Sequence, residues 1–270
     1  MPGEGFRERD VTANGLRLHL LEGPDGGRPP LLLVHGIYDR WETWETVLPA
    51  LVADYHVVAP DLRGHARSDW PARGYRLVDY AADAVGVLDA LGIARADVVG
   101  HSLGALIAAT LAAEAPQRVR AVVLEDPPAE LSDASRGRMA ALLAAKRLPE
   151  GETYAALCRA YPARTEADLR RMTGWLRGTA DGPFVALIER LDGATELYPT
   201  LERIAAPVLV LQADPAREAA LSDAAAARCL AALRHGALER FPDTGHGIHV
   251  ERPEPFVSAV LPFLRDAATA

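Results

Sequence analysis

Short apolar runs that alternate with segments of helical periodicity limit how this chain can fold more than any other feature. The runs are nearly continuous in apolar residues and lie at Leu31–Val34, Tyr55–Ala59, Asp97–Val99, Val119–Leu124 and Pro207–Leu211. Strands that are buried on both faces of a parallel sheet have this composition. Segments with helical period lie between them, at Leu77–Leu91, Leu103–Ala115 and Ala219–Leu233. The alternation predicts an α/β fold with helices on both faces of the sheet.

Three further strands are expected near the ends of the chain. Phe6–Val11 and Leu16–Leu21 flank Asn14-Gly15, a dipeptide typical of the tight turn in a β-hairpin. Ala237–Phe241 is the last strand-like run. With these runs included, the sequence predicts an eight-stranded, mostly parallel sheet.

A long stretch without any strand-like run interrupts the alternation, from Pro127 to about Pro199. Its pattern is helical and it is rich in alanine and arginine. Ligands of open α/β sheets bind beyond the carboxyl ends of the strands, so an insertion at this edge predicts a helical cap over a pocket. We expect a core of residues 1–127 and 200–270 and a cap of residues 128–199. A bundle that only supports the sheet is the alternative.

Charge and cysteine content argue against several classes of partner. The formal net charge is −8, whereas phosphate contacts need clustered lysine and arginine, so no nucleic-acid partner is expected. The pairs Arg136–Arg138 and Arg170–Arg171 lie in helical segments and are interpreted as solvated faces. Cys158 and Cys229 are far apart and show no CxxC spacing, which favours a reducing compartment without disulfides.

The hydropathy pattern predicts a cytoplasmic protein with no membrane partner. Residues Met1 to Asp10 are polar and lack the apolar centre of a signal peptide. No apolar run reaches the length of about 18 residues that spans a bilayer. A monomer or a homodimer is expected.

The segment Gly100-His101-Ser102-Leu103-Gly104 follows a strand-like run and precedes an alanine-rich helical segment. A serine on a sharp strand-to-helix turn requires small residues two positions before and after it, because the backbones approach closely there. The N-terminus of the following helix then points N–H groups at a developing oxyanion. The motif predicts Ser102 as a nucleophile, and a helix-capping serine with two packing glycines is the alternative.

Three further motifs surround this one in a fixed order. Leu32–Gly36 is similar to an oxyanion loop, and Asp61–Asp69 is similar to a D-x-R-G-x-G-x-S-D loop with Ala66 where glycine is usual. Asp243–His246, followed by Glu251–Glu254, is similar to a histidine loop and a closing helix. In this order the four motifs resemble those of the α/β-hydrolase fold superfamily, and the resemblance covers nearly the whole chain.

The resemblance implies roles for residues in these motifs. It implies that the backbone N–H groups of Ile37 and Leu103 bind an oxyanion. It implies that His35 holds its loop by a hydrogen bond and that the Asp61–Asp69 loop is structural. It implies no metal and no organic cofactor.

His246 is the predicted general base. A serine hydroxyl is a weak nucleophile at neutral pH and needs a base that takes its proton. His246 lies in a loop after the last strand, as the order serine, acid, histidine requires. His101 is next to the serine and is expected to line the pocket. Asp243, His246 and His249 resemble a metal site in spacing, but no further ligand cluster accompanies them, so no metal is expected.

The acid that orients the base should follow one of two strands. Most relatives place it after the penultimate strand, where this chain has Ala216, with Asp214 and Glu218 two residues to either side. Haloalkane dehalogenases and some lactone hydrolases of the superfamily place it after the preceding strand, which here ends in Glu125-Asp126. Asp126 is the predicted acid. Asp214 is the main alternative, and Glu125 or Glu218 are the others.

A serine nucleophile forms an acyl-enzyme, so the chain is predicted to be a carboxylic ester hydrolase, an esterase or a lactonase. The apolar residues of the helical stretch favour a medium-sized hydrophobic substrate. Alternatives are carbon–carbon bond hydrolysis or perhydrolase chemistry with the same residues, and a receptor-like ligand-binding protein with slow turnover. The residues expected to contact substrate are His101, Tyr38, Pro128, Met139, Trp175 and Phe184.

Overall fold

A computed structural model describes residues 5–162, 164–189 and 196–267. Its strands are β1 (Arg7–Ala13), β2 (Leu16–Glu22), β3 (Pro30–Val34), β4 (His56–Pro60), β5 (Ala96–His101), β6 (Val119–Glu125), β7 (Val208–Ala213) and β8 (Gly236–Phe241). They form one sheet in the order β1-β2-β4-β3-β5-β6-β7-β8. Strand β2 is antiparallel to both of its neighbours, and the other pairs are parallel. The predicted fold class is therefore confirmed.

The hairpin at the start of the sheet forms where the turn residues predict it. Asn14 and Gly15 have φ values of 49° and 76°. Positive φ at both central positions is the requirement of a type I′ turn, whose twist matches that of the flanking strands. The turn sets Ala13 opposite Leu16, and the pairing continues to Arg7 opposite Glu22.

Helices cover both faces of the sheet. They are α1 (Leu48–Leu51), α2 (Leu77–Ala90), α3 (Leu103–Glu114), α4 (Asp133–Lys146), α5 (Glu150–Ala160), α6 (Glu166–Arg177), α7 (Gly182–Glu189), α8 (Tyr198–Leu201), α9 (Asp223–Ala232), α10 (Ile248–Glu251) and α11 (Pro253–Ala267). Alternate strand residues pack to opposite sides, as the pleat requires. In β3, Leu32 and Val34 belong to the core that includes α2, α3 and α9, whereas Leu31 and Leu33 belong to the core under α1 and α11.

The stretch between β6 and β7 contains α4 to α8, and its described residues include no strand of the sheet, only single bridges at Glu130, Thr179 and Glu196. Residues 163 and 190–195 of this stretch lie outside the described residues. The segment is bonded to the rest of the fold through backbone groups. Ala66 N donates to Gly178 O at 2.8 Å, and Ala180 N donates to Gly64 O at 2.6 Å. The division into a separate core and cap stays a prediction.

The Asp61–Asp69 loop makes the contacts of a structural element. Asp61 Oδ1 accepts a hydrogen bond from Trp41 N at 3.0 Å, and Arg63 pairs with the buried Asp83. Ala66, which stands where the resembling loop has glycine, has a φ of 44°. This left-handed conformation costs a non-glycine residue about 1–2 kcal/mol, which explains why glycine is the usual residue there.

Helix α9 begins four residues later than the sequence pattern predicts. The pattern starts at Ala219, but Ser222 caps the helix, since its Oγ accepts from Ala225 N at 3.2 Å. Serine is a favoured N-cap because its side chain satisfies an N–H that has no partner within the helix. Ala220 and Leu221 therefore stay outside the helix, where their N–H groups are free to bond elsewhere.

Cys158 and Cys229 are both free. Among the described residues no helix combines the length and the apolar character needed to cross a bilayer.

Candidate active site

Ser102 lies on a strained turn between β5 and α3. Its φ is 54° and its ψ is −115°, a conformation that costs a non-glycine residue on the order of 1–3 kcal/mol. The two motif glycines are required by the closeness of the backbones. A Cβ at Gly100 would lie 2.1 Å from Gly104 O, and one at Gly104 would lie 2.0 Å from Val34 O. The motif therefore forms the sharp turn that its spacing predicts.

His246 contacts the carboxylate of Asp126 at the carboxyl edge of the sheet. The distance from His246 Nδ1 to Asp126 Oδ2 is 2.6 Å, and Asp126 is fully buried. A carboxylate only accepts, so Nδ1 carries the proton and Nε2 is left as an acceptor. His246 and Ser102 line the same cavity. In this tautomer the histidine can take a proton at Nε2.

Backbone N–H groups hold Asp126 in place. Ala220 N donates to Oδ2 at 2.6 Å, while Ala213 N and Leu221 N each donate to Oδ1 at 3.3 Å. Ala220 N and Leu221 N are able to donate to Asp126 because α9 starts at Asp223, so these two residues lie outside the helix. These three hydrogen bonds fix the position of the carboxylate beside His246.

The other acid candidates have different partners. Asp214 accepts from Ala216 N at 2.8 Å and from Asp243 N at 2.9 Å, and these two hydrogen bonds lower the pKa of its carboxyl group. Glu218 pairs with Arg164 at 3.0 Å. The structure thus brings Asp126 to His246 and uses Asp214 to join the loop after β7 to the histidine loop.

Burial lowers the pKa of His246, but the hydrogen bond and the negative charge of Asp126 outweigh burial and raise the pKa above 6.5. Only the neutral imidazole can accept a proton, so kcat/KM should fall as the pH drops through this raised pKa. We expect the acid limb of a pH–rate profile to have its midpoint above 6.5. In Asp126→Asn the midpoint should move to lower pH. A wild-type midpoint at or below 6.5 would contradict the expectation.

The two predicted oxyanion donors lie in the wall of the cavity beside Ser102. Leu103 is the first residue of α3, so its N–H has no acceptor within the helix. Ile37 follows His35 and Gly36 in the loop after β3, and it also lines the cavity. His35 holds this loop, with Nδ1 2.7 Å from Gly36 O and Nε2 accepting from Leu62 N at 2.9 Å.

The side chain of His101 contacts the loop that carries His246. Its Nε2 donates to His246 O at 3.1 Å, and the two ring centroids are 4.6 Å apart. Asp39 Oδ2 lies 3.5 Å from His101 Nδ1. Burial raises the pKa of Asp39, but the interaction with His101 outweighs it and the pKa is lowered. Sequence reasoning missed Asp39, although it follows the oxyanion-loop motif by only three residues.

A second buried acid–histidine pair lies next to the first. Both oxygens of Glu125 are 2.8 Å from His249 Nδ1, and His249 N donates to Glu125 Oε1 at 2.9 Å. Both side chains are fully buried, and His249 Nε2 lies 3.0 Å from Thr43 Oγ1. Burial raises the pKa of Glu125, but the charge of His249 outweighs burial and the pKa is lowered. The pair joins the end of β6 to the helix that follows the histidine loop.

Glu125→Ala should destabilise the protein strongly, because it leaves two buried donors of His249 without an acceptor. We expect the free energy of unfolding to fall by about 3–5 kcal/mol, measured by urea denaturation. Glu166→Ala is the matched control, since Glu166 pairs with Arg170 on the exposed face of α6 and should contribute little. Equal small effects in both variants would show that the buried pair does not stabilise the fold.

The spacing of Asp243, His246 and His249 raised the possibility of a metal site, which the described residues can be searched for. Within them no group of three or more histidine, cysteine, aspartate or glutamate side chains is arranged to hold a metal ion. His246 and His249 face Asp126 and Glu125 through their Nδ1 atoms.

A cavity of about 150 Å³ lies over Ser102. Four of the predicted substrate contacts are in its wall, namely Tyr38, His101, Pro128 and Met139. Trp175 lines an adjoining cavity of about 110 Å³. The residues that line both cavities are Tyr38, Asp39, His101, Arg164 and His246. Phe184 is fully buried in the hydrophobic core and lines neither of these two cavities. We therefore interpret it as a core-packing residue and not as a substrate contact.

Polar residues that were not among the expected substrate contacts also line the first cavity. They are Ser135, Arg138, Tyr161, Arg164 and Glu218. Arg136 and Arg138 were expected to be a solvated face. Arg138 is exposed and also lines the cavity, whereas Arg136 is half-buried, with its Nε donating to Ile188 O at 2.8 Å. The spacing of Arg138 from Met139 and Leu142 on α4 is the signal that could have found it.

Backbone strain is concentrated around this cavity. Among the described residues six non-glycine residues have positive φ, and four of them lie in the loops of the site: Tyr38, Ser102, Asp126 and Asp243. Strained residues persist where the surrounding structure holds them, and they cluster at functional sites. This clustering agrees with the placement of the candidate residues.

Comparison with known proteins assigns the family. The profile of the family described as alpha/beta hydrolase fold matches residues 29–253. The chain therefore belongs to the α/β-hydrolase fold family, as the four ordered motifs predict.

The chain is similar to hydrolases of different kinds. It is 30% identical over 273 residues to a 2-(acetamidomethylene)succinate hydrolase of Mesorhizobium japonicum, with 96% of this chain and 95% of that protein covered. It is 40% identical over 121 residues to an epoxide hydrolase of Caballeronia sordidicola, covering 44% of this chain and 36% of that protein. It is 42% identical over 120 residues to a 2-hydroxymuconate semialdehyde hydrolase of Pseudomonas sp. strain CF600, covering 43% and 42%.

The last two matches span less than half of each relative. The relatives share hydrolysis and differ in the bond that they cleave. Similarity thus gives the family and leaves the reaction to be argued from the site.

Proposed function

We propose that this protein is a serine hydrolase that cleaves a carboxylic ester or a lactone through an acyl-enzyme. The observation that carries the proposal is the 2.6 Å contact between His246 Nδ1 and Asp126, at a cavity shared with Ser102. The contact leaves His246 Nε2 free to act on the serine proton. A strained turn with a helix N-terminus behind it supports the same role for Ser102.

In the proposed mechanism His246 Nε2 takes the proton of Ser102 Oγ as the oxygen attacks the substrate carbonyl. The N–H groups of Ile37 and Leu103 bind the oxyanion that forms. The tetrahedral intermediate collapses, and His246 gives its proton to the departing alcohol. Water, deprotonated by the same histidine, then attacks the acyl-enzyme and releases the acid and Ser102.

The serine nucleophile argues against epoxide opening. Attack of Ser102 on an epoxide carbon would form an ether, which water activated by a histidine does not cleave. A carboxylate nucleophile forms an ester instead, and an ester can be hydrolysed. We therefore do not infer epoxide hydrolysis from the similarity to an epoxide hydrolase over 44% of the chain.

The wall of the cavity supports a medium-sized acyl group. Residues from α4 and α7 contribute to it, which supports a cap role for residues 128–199. The apolar part of the wall consists of Ile37, Leu103, Pro128, Leu131, Met139, Leu142, Leu187 and Ala220. The predicted acid follows β6, as in some lactone hydrolases of the superfamily, and this placement favours a lactone over an open-chain ester as the substrate.

A substrate panel tests the proposal. Wild type and Ser102→Ala are assayed on p-nitrophenyl esters, on lactones and on a coloured ring-cleavage diketone. Turnover of an ester or lactone that Ser102→Ala loses supports the proposal. Cleavage of the diketone without ester turnover would overturn it in favour of carbon–carbon bond hydrolysis, for which the similarity to the 2-hydroxymuconate semialdehyde hydrolase speaks. Ligand-induced thermal stabilisation with turnover at background would favour a receptor-like protein.

A further inference from the structure

We propose that the acyl part of the substrate carries a carboxylate, which Arg138 binds with support from Arg164. The proposal rests on the proposed function and names the substrate class for the same site. It starts from the charges that line the cavity over Ser102.

One face of α4 forms part of the cavity wall. Ser135, Arg138, Met139 and Leu142 all line the cavity, and their spacing of three, four and seven residues puts them on one side of the helix. The rise per residue sets Ser135 and Leu142 about 10 Å apart along the axis. The wall therefore changes from polar to apolar along its length, which suits a ligand with an apolar segment and one polar end.

Arg138 provides a positive charge at the polar end. Its Nη2 donates to Ser135 Oγ at 3.2 Å, and it forms no ion pair with any acidic side chain that the structure describes. By contrast Arg136, two residues earlier, pairs with Asp133 at 3.1 Å. Arg138 is exposed to solvent and also lines the cavity. A guanidinium group with unused donors at such a position matches the geometry of a carboxylate.

Arg164 adds a second set of donors. Its Nη2 pairs with Glu218 at 3.0 Å. Its Nε is buried and has no hydrogen-bond partner among the described residues. A buried donor without an acceptor costs about 1–3 kcal/mol, and a ligand oxygen in the cavity would remove that cost.

The remaining acid in the wall lies on the histidine side of the cavity. Asp39 is 3.5 Å from His101 Nδ1, so its charge is close to a histidine. With Glu218 paired to Arg164, the uncompensated charge on the α4 side is that of Arg138. The cavity thus presents a positive end to the ligand.

The acyl group, rather than the leaving group, occupies this cavity. Ser102, Ile37 and Leu103 line the first cavity and do not line the adjoining one. An acyl chain bonded to Ser102, with its oxygen at Ile37 and Leu103, therefore extends in the first cavity toward α4. His246 lines both cavities, so the leaving group that it protonates can depart through the second.

Matched esters test the proposal. The p-nitrophenyl half-esters of succinate, glutarate and adipate are compared with p-nitrophenyl butyrate, valerate and hexanoate, which have a methyl group in place of the carboxylate. Spontaneous hydrolysis is measured with Ser102→Ala and subtracted. We expect the wild type to prefer the half-ester in at least one pair. Arg138→Gln should lower kcat/KM for that half-ester about tenfold to a hundredfold, and should lower the neutral ester far less.

Two variants control for charge and for folding. Arg138→Lys keeps the positive charge and should retain part of the preference, while Arg170→Gln removes an arginine that pairs with Glu166 on the exposed face of α6 and should change nothing. A preference for the neutral ester in all three pairs would overturn the proposal, as would an equal loss on both esters in Arg138→Gln. If no ester is hydrolysed in a Ser102-dependent manner, the proposed function itself fails.

Discussion

Replacing Ser102 by alanine should reduce kcat by about a millionfold, to the level of residual binding and oxyanion stabilisation. The reason is that the acyl-enzyme cannot form without the serine oxygen. His246→Ala should cost about as much, and the double variant little more, because the two residues act in one step. The measurement is kcat on the best ester of the substrate panel, with active-site labelling by a fluorophosphonate as a second readout.

The strained turn provides a control for this experiment. Ser102→Ala keeps a Cβ at a φ of 54°, so it should be as stable as the wild type. Ser102→Gly relieves the strain and should be more stable by about 1 kcal/mol or more, while it is equally inactive. Undiminished ester turnover in either variant would show that another residue is the nucleophile.

Asp126→Asn should lower kcat by about 10⁴-fold. The NH2 group of an asparagine donates a hydrogen bond instead of accepting one. Donation to His246 Nδ1 favours the tautomer in which Nε2 carries the proton and cannot act as a base. The backbone donors Ala213 N, Ala220 N and Leu221 N, which now face a carboxylate, would also meet an amide group. The measurement is the pair of kcat and kcat/KM on one ester.

Asp214→Asn is the matched control for the acid. It removes the same charge two residues before the acid position that most relatives use, but Asp214 bonds to Ala216 N and Asp243 N rather than to a histidine. We expect a loss far smaller than that of Asp126→Asn. A larger loss in Asp214→Asn than in Asp126→Asn would contradict the assignment of the acid.

The elements of the sheet follow from local sequence. Runs such as Leu31–Val34 and Val122–Leu124 are apolar throughout because both faces of their strands are buried, so they can be recognised without knowledge of their neighbours. The hairpin at Asn14-Gly15 follows from two residues that tolerate positive φ. Where a boundary was missed, at α9, a single capping serine changed the start of the helix.

Tertiary structure was needed to see which of the candidate carboxylates contacts His246. Asp126 and Asp214 each follow a parallel strand at the same edge of the sheet, and local sequence gives both a place near the histidine loop. Their contacts differ because α9 starts late and leaves Ala220 N and Leu221 N to hold Asp126, while Asp214 is engaged by Asp243 N. Those contacts join residues up to 95 positions apart in the chain.

The lining of the cavity also depended on tertiary structure. Phe184 and Met139 are both apolar residues of the helical stretch, yet one is core and the other is cavity wall. Arg136 and Arg138 are two residues apart on an exposed-looking helix, and only Arg138 lines the cavity. Periodicity assigns residues to faces of a helix, but it does not say which face meets a neighbour and which meets a cavity.

By itself the sequence determined the sheet, the strand-to-helix turn at Ser102, and the position of His246 after the last strand. These features depend on short-range requirements, namely burial on two faces, close backbone approach at Gly100 and Gly104, and chain order. Only the tertiary structure decided which carboxylate meets His246 and which arginine meets the cavity. Such contacts arise between segments far apart in the chain, where small differences in helix start and loop path redirect a side chain by several ångströms.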